Sequence, residues 1–161
     1  MITVRPPIAL DAPDMARLLN EIIAEGGTTA LTRPVTGADL RSWMSSYPGR
    51  SAWHVALDAE ERVVGFQWIE PHEGLPPEAA DISTFVRIGR TGLGIGSALF
   101  DATRKAAAQL GYGWINANIR ADNEGGLIYY QSRGFQDYGL IERQELQNGE
   151  IVSKRLKRYD L

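Results

Sequence analysis

Three glycines at alternate positions, Gly92, Gly94 and Gly96, carry the strongest chemical signal in this 161-residue chain. Before them, residues 82–86 are β-branched and aromatic and read as a strand. After them, Ile95, Ala98, Leu99, Ala102, Ala106 and Leu110 recur at helical spacing. Glycine in such a strand-to-helix turn lets the backbone approach a ligand and leaves its amides unobstructed. The first N–H groups of a helix lack internal partners, and the macrodipole adds partial positive charge there. The turn is therefore suited to a phosphate or pyrophosphate. A P-loop would end in Gly-Lys-Ser/Thr, but here Gly94-Ile95-Gly96-Ser97 is followed by no lysine until Lys105. A dinucleotide fingerprint would put glycine at the position of Ser97 and an acid at the end of the next strand. That strand, residues 114–119, has no acid. Three readings remain: a dinucleotide loop that departs from its fingerprint at these two points, an anion-binding turn of a third kind, or a tight turn that binds nothing.

Composition narrows the chemistry further. The 17 basic and 20 acidic side chains leave a net charge of −3, with no general attraction for nucleic acid or an anionic membrane. The absence of cysteine excludes a thiol nucleophile, a disulfide framework and a cysteine-held metal. With His54 and His72 as the only histidines, no metal site is expected. No apolar run approaches the length of a membrane span, and the N-terminus lacks the apolar core of a signal peptide. A cytoplasmic protein of one domain, residues 1–161, is the expectation.

The elements that must position the glycine turn can be read in order. Residues 2–4 form a short strand. Asp11 reads as an N-cap for a helix whose apolar face is Met15, Leu18, Leu19, Ile22 and Ile23, ended by Gly26-Gly27. A second helix starts from Thr36 with Asp39 three residues on, buries Leu40, Trp43 and Met44, and stops at Pro48-Gly49. Strands follow at 53–57, 62–69 and 82–86, with Trp53 and Trp68 in the core and His54 structural. The helix after the glycines ends near Leu110-Gly111. The strand at 114–119 leads to Asp122-Asn123-Glu124, which starts a short helix closed by Gly134. Strands from Phe135 and over 151–156 complete the chain, with Lys154–Arg158 as an exposed basic strand face. The order predicts an α/β fold: a mixed, mostly antiparallel sheet flanked by helices, without the regular alternation of a Rossmann fold.

Residues 91–96 resemble the pyrophosphate loop Arg/Gln-x-x-Gly-x-Gly/Ala of the acyl-CoA N-acyltransferases. Thr91 stands where that family carries Arg or Gln, and Arg90 is placed to supply the charge. A second stretch, Asn123-x-x-Gly126-x-x-Tyr129-Tyr130-x-x-x-Gly134-Phe135, matches the same family with Gly126 in place of Ala or Ser. Together they make residues 80–140 resemble the GNAT superfamily. Residues 19–23, 28–30 and 34–43 are similar to its phosphinothricin/methionine-sulfone acetyltransferase branch.

The resemblance implies a GNAT fold, acetyl-CoA as cosubstrate without a metal, and transfer of acetyl to the primary amine of an amino acid or similar small molecule. It implies that the backbone from Val86 through Arg87 to Ile88 pairs with pantetheine. The diphosphate would lie on Thr91, Gly92, Leu93, Gly94, Ile95, Gly96 and Ser97. Asn123 either binds the pantetheine arm or is a plain N-cap. An alkylamine of pKa about 10 is mostly protonated at neutral pH and needs a base, directly or through water. The oxyanion needs donors, and the departing thiolate needs a proton. By the family pattern the proton donor beside the cofactor is Tyr130. Asp81, where the branch carries an acid, is the base. On its strand it shares a face with Ser83 and Phe85. Glu70, His72, Glu73 and Glu78 are the alternatives. Two rival readings stay open: acetylation of a protein or peptide, and a non-catalytic CoA-binding regulatory module. A homodimer is compatible with either.

Overall fold

The computed structural model describes residues 1–90 and 93–161. Thr91 and Gly92, and the expectations placed on them, lie outside the described residues. The strands are β1 (Thr3–Arg5), β2 (Ala52–Leu57), β3 (Val63–Glu70), β4 (Ala79–Val86), β5 (Trp114–Arg120), β6 (Gln136–Glu145) and β7 (Ile151–Asp160). The helices are α1 (Ala12–Glu25), α2 (Gly37–Met44), α3 (Ile95–Gln109) and α4 (Glu124–Ser132), with a 3-10 turn over Ala9–Asp11. The strands form one sheet in the order β1-β2-β3-β4-β5-β7-β6. Every neighbouring pair is antiparallel except β4 and β5, which are parallel. A parallel pair needs a crossover, and α3 supplies it. The expected mixed, mostly antiparallel sheet flanked by helices is present.

Helices cover both faces of the sheet. On one, Met15, Leu18, Leu19 and Ile22 of α1 and Leu40 of α2 bury against Trp53, Val55, Phe66, Trp68 and Phe85. On the other, α3 packs Ile95 and Leu99 against Ala56 and Val64, and Phe100 joins Ile82, Ile115, Tyr130 and Phe135. The alternation of β3, β4 and β5 serves both layers, since successive side chains point to opposite faces. No helix among the described residues is long and apolar enough to cross a membrane.

Local signals behave as their chemistry dictates, with three departures. Thr36 and Asp39 form the reciprocal capping box of α2: Asp39 N donates to Thr36 Oγ1 at 3.1 Å and Thr36 N to Asp39 Oδ2 at 2.9 Å. Asp11 stands at the N-cap of α1 but does not cap it with its side chain. Its carboxylate receives Arg5 at 2.8 and 3.0 Å and Ile8 N at 2.7 Å, a charge-assisted pair that outcompetes the cap. The basic run 154–158 is not a uniformly exposed face. Lys157 is buried against Asp137 at 2.8 Å, and Lys154 is half-buried. β4 begins at Ala79 rather than 82, because Ala79 and Ala80 pair with Trp114 and Ile115.

The feature that matters for function lies between β4 and β5. Their pairing covers only Ala79↔Trp114, Ala80↔Ile115 and Asp81↔Asn116. Beyond it β4 stays on β3 as far as Val86, and β5 stays on β7 as far as Arg120. The two strands part, leaving a gap in the middle of the sheet.

Candidate active site

An open cavity of about 1430 Å³ occupies the gap and both sides of it. Trp43, Trp68, Glu70 and Asp81 line it from the α1/α2 side; Gly96, Ser97, Asn123, Tyr129 and Tyr130 line it from the α3/α4 side. The backbone of β4 is available along the gap. Arg87 N donates to Val64 O at 2.9 Å, so the alternate residues Val86 and Ile88 turn their peptide groups away from β3. Both line the cavity. The same alternation removes Arg87, whose guanidinium donates to Val63 O at 2.7 Å and lies 3.8 Å from Glu21. Of the three residues expected at the pantetheine, Arg87 is the one turned away.

At the start of α3 each described residue has a distinct part. Leu93 is exposed, and Gly94 is the N-cap with φ 80°, a left-handed conformation that favours glycine. Ile95 is buried in the core and anchors the helix end beneath the cavity. The amides that follow, through Ser97, are in the first turn, where helical N–H groups have no internal partner. Gly96 is glycine for a reason unrelated to a ligand: a Cβ there would meet Tyr129 Cε1 at 2.6 Å. Arg133 Nη1 donates to Ser97 Oγ at 2.7 Å, so a cation stands beside this turn. Arg90, which was expected to supply that charge, lines the cavity but lies 3.7 Å from Asp58.

α4 brings the second motif into the gap. Asn123 is an N-cap: its Oδ1 accepts from Gly126 N at 3.0 Å, and its Nδ2 donates to Thr28 O at 3.2 Å. A Cβ on Gly126 would lie 2.5 Å from Asn123 Nδ2, which explains why glycine is kept inside this helix. Tyr130 is buried, and its hydroxyl pairs with Thr84 Oγ1 at 2.7 Å. Burial pushes the phenol well above its ordinary pKa, partly offset by Thr84, so it is protonated at neutral pH. The neighbouring Tyr129 is pushed up to about 12, also chiefly by burial. Its hydroxyl donates to Gly96 O at 2.7 Å and accepts from Gln67 Nε2 at 3.0 Å.

Asp81 enters from the opposite face. Burial raises its carboxyl above the usual range, offset by the Asn116 amide, which donates to Oδ1 at 2.9 Å, and by the charges of His72 and Lys154. Tyr138 of β6 bonds the Asn116 carbonyl oxygen, which fixes the amide with its N–H₂ toward Asp81. Glu70, opposite Asp81 across β3/β4, is also raised by burial and accepts from Trp68 Nε1 at 3.0 Å. His72 is exposed and lines the cavity, whereas Glu73 and Glu78 are exposed and do not. His54 is half-buried in β2 with its pKa lowered by burial, as a structural residue would be. Gln67, Thr84, Asn116, Arg133 and Lys154 complete the site, and none of them stood out from the sequence. The one local signal was Gln67, an amide in the middle of the apolar run of β3.

Residues 17–135 match the model of the acetyltransferase (GNAT) family. A Bacillus subtilis (strain 168) protein named "Putative phosphinothricin acetyltransferase YwnH" is 28% identical over 162 residues, covering 99% of this chain and 95% of its own. A GNAT superfamily phosphinothricin acetyltransferase from Sinorhizobium meliloti, solved in complex with AcCoA, superposes with a TM-score of 0.89 at 21% identity, over 99% of this chain and 88% of that one. A GCN5-related N-acetyltransferase from Kribbella flavida superposes at 0.85 with 25% identity, over 99% and 98%.

Proposed function

The chain belongs to the acetyltransferase (GNAT) family, and on that footing we propose that it moves acetyl from acetyl-CoA to the primary amine of an amino acid or amino-acid-like small molecule. The observation that carries this reading is the gap between β4 and β5, where one cavity is lined by free strand backbone, a helix N-terminus, Tyr130 and Asp81. Pantetheine lies along Val86 and Ile88. The diphosphate sits on Leu93 to Ser97 at the start of α3, with Arg133 as its countercharge. Asp81, made a stronger base by the burial that raises its pKa, takes the amine proton directly or through water. The amine attacks the thioester carbonyl, the C–S bond breaks, and Tyr130 protonates the sulfur. Lys154, half-buried in the cavity and in no ion pair among the described residues, supports an acceptor that carries a carboxylate. The same reading takes residues 1–161 as one cytoplasmic domain. Its exposed edge strand β6 supports a homodimer, to be checked by light scattering.

Thiol release from acetyl-CoA, measured across amino acids, polyamines and peptides, tests the proposal. Amino acids should be the best acceptors, and Tyr130→Phe should slow turnover without weakening CoA binding. A preference for peptides would move the acceptor to proteins. Uptake of CoA with no thiol release from any amine would make this a binding module. Unchanged turnover in Tyr130→Phe would remove the acid.

A further inference from the structure

We propose that Gln67 and Thr84 form a one-way hydrogen-bond donor chain that turns the Tyr130 proton toward the cavity, making them positioning residues for the acid. This rests on the acid role given to Tyr130 above.

The direction of the chain follows from its far end. Gly96 O is a carbonyl and can only accept, so the 2.7 Å contact uses the single proton of Tyr129. Tyr129 Oη can then only accept from Gln67, and the Gln67 atom 3.0 Å away must be the amide nitrogen. The same nitrogen lies 2.8 Å from Thr84 Oγ1 and donates there with its second proton. Thr84 keeps one proton of its own. Tyr130 Oη, at 2.7 Å, is its remaining partner among the described residues. Either hydroxyl can be the donor of this last pair; in the proposed chain Thr84 donates and Tyr130 accepts, which leaves the phenolic proton free to face the gap.

The arrangement has a cost that packing alone does not explain. Gln67 is 0% exposed, and its Oε1 is buried without a partner. Leaving a buried acceptor unsatisfied is destabilising. An apolar residue of similar size at this point of β3 would avoid it. The amide is explained if its two donors are required.

The chemistry gives the chain a task. When the C–S bond breaks, the Tyr130 proton passes to sulfur and a phenolate is left in a buried site. The amine proton resides on Asp81, and water restores both groups before the next turnover. A hydrogen bond already donated by Thr84 stabilises that phenolate at the moment it forms, without reorganisation. The reverse orientation, with Tyr130 donating to Thr84, would tie up the proton the sulfur needs.

Thr84→Val keeps the shape of the side chain and removes the hydroxyl. A donor to a developing charge contributes enough that its loss should lower kcat by about ten- to hundredfold. KM for acetyl-CoA should stay within about twofold. Thr84→Ser should restore most of kcat, and Gln67→Met should shift it in the same direction as Thr84→Val. In a Tyr130→Phe background, Thr84→Val should cost nothing more. If Tyr130→Phe is slow while Thr84→Val is as fast as the wild type, the donor chain is wrong and the acid stands. The chain is also wrong if the two losses simply multiply. If Tyr130→Phe itself is fast, the acid falls and the chain with it. Melting curves of all variants separate loss of folding from loss of rate, with Thr84→Ser as the variant least able to disturb packing.

Discussion

Replacing Gly96 by alanine should destabilise the protein, although glycine-to-alanine in a helix ordinarily does the opposite. Gly96 lies in the first turn of α3, where alanine would gain about 1 kcal/mol in helix propensity. The new Cβ, however, would stand 2.6 Å from Cε1, 3.2 Å from Cζ and 3.3 Å from Cδ1 of Tyr129. The ring cannot swing away freely. Its hydroxyl is held by Gly96 O and Gln67, and its ring meets that of Tyr130 in a T-shaped contact with centroids 4.9 Å apart. Overpacking of this kind costs about 1–3 kcal/mol. Loss of the Tyr129 hydrogen bond adds about 1 kcal/mol. The net effect is a loss of about 2 kcal/mol, which for a chain of this length lowers Tm by about 4–8 °C. Urea unfolding followed by far-UV circular dichroism measures it in four proteins: wild type, Gly96→Ala, Tyr129→Ala and the double variant. With the ring removed, the clash is gone and only propensity remains, so Gly96→Ala should then stabilise by about 1 kcal/mol. That reversal of sign is the test. If Gly96→Ala costs the same with and without the ring, the contact with Tyr129 is not the reason for glycine at this position.

Two further outcomes follow from charged groups that line the same cavity. Burial raises the Asp81 carboxyl above its unfolded value near 3.8, so between the two values the native state binds more protons than the unfolded chain, and stability falls as pH rises through that window. Asp81→Asn should therefore melt higher than wild type near pH 8, lose that advantage below about pH 4, and turn over slowly; identical melting at both pH values would contradict the burial argument. Lys154→Met should raise KM for the best amino-acid acceptor about tenfold or more, while leaving KM for the corresponding decarboxylated amine nearly unchanged. An equal rise for both would show that Lys154 does not read the carboxylate.

How legible the fold was depended on how local its causes are. The apolar face of α1 and the capping box at Thr36 rest on neighbours within a turn or two, and both are present. Gly94 at the start of α3 belongs to the same class. Asp11 failed as a cap because Arg5, from outside the helix, takes its carboxylate. Ala79 and Ala80 have no strand signal of their own and are strand because β5 lies beside them. β7 continues to Asp160 because its pairing with β5 does so. The site divides in the same way. Tyr130 and Asp81 carried a sequence pattern. Asn116, Lys154 and Arg133 acquire their places only when β5, β7 and α4 come together. Gly96 was legible as a glycine but not as the space a tyrosine ring needs.

On the proposed roles, the parting of β4 from β5 also explains why acid and base would come from different layers. In an unbroken sheet, the side chains of the two faces never meet, because the hydrogen-bonded backbone separates them. Asp81 shares its face with Ser83 and Phe85, under α1 and α2. Thr84 points to the other face, where it meets Gln67 and Tyr130. Only where the ladder stops, just past the Asp81↔Asn116 pair, can a thioester pass between the faces. Its carbonyl can then be open to an amine from the α1/α2 side while its sulfur is open to Tyr130. In the proposed reaction, Asp81 at the last rung and Thr84 three residues on therefore serve opposite ends of one bond. A substitution that restored pairing along residues 82–86 would abolish the reaction with every side chain of the site intact.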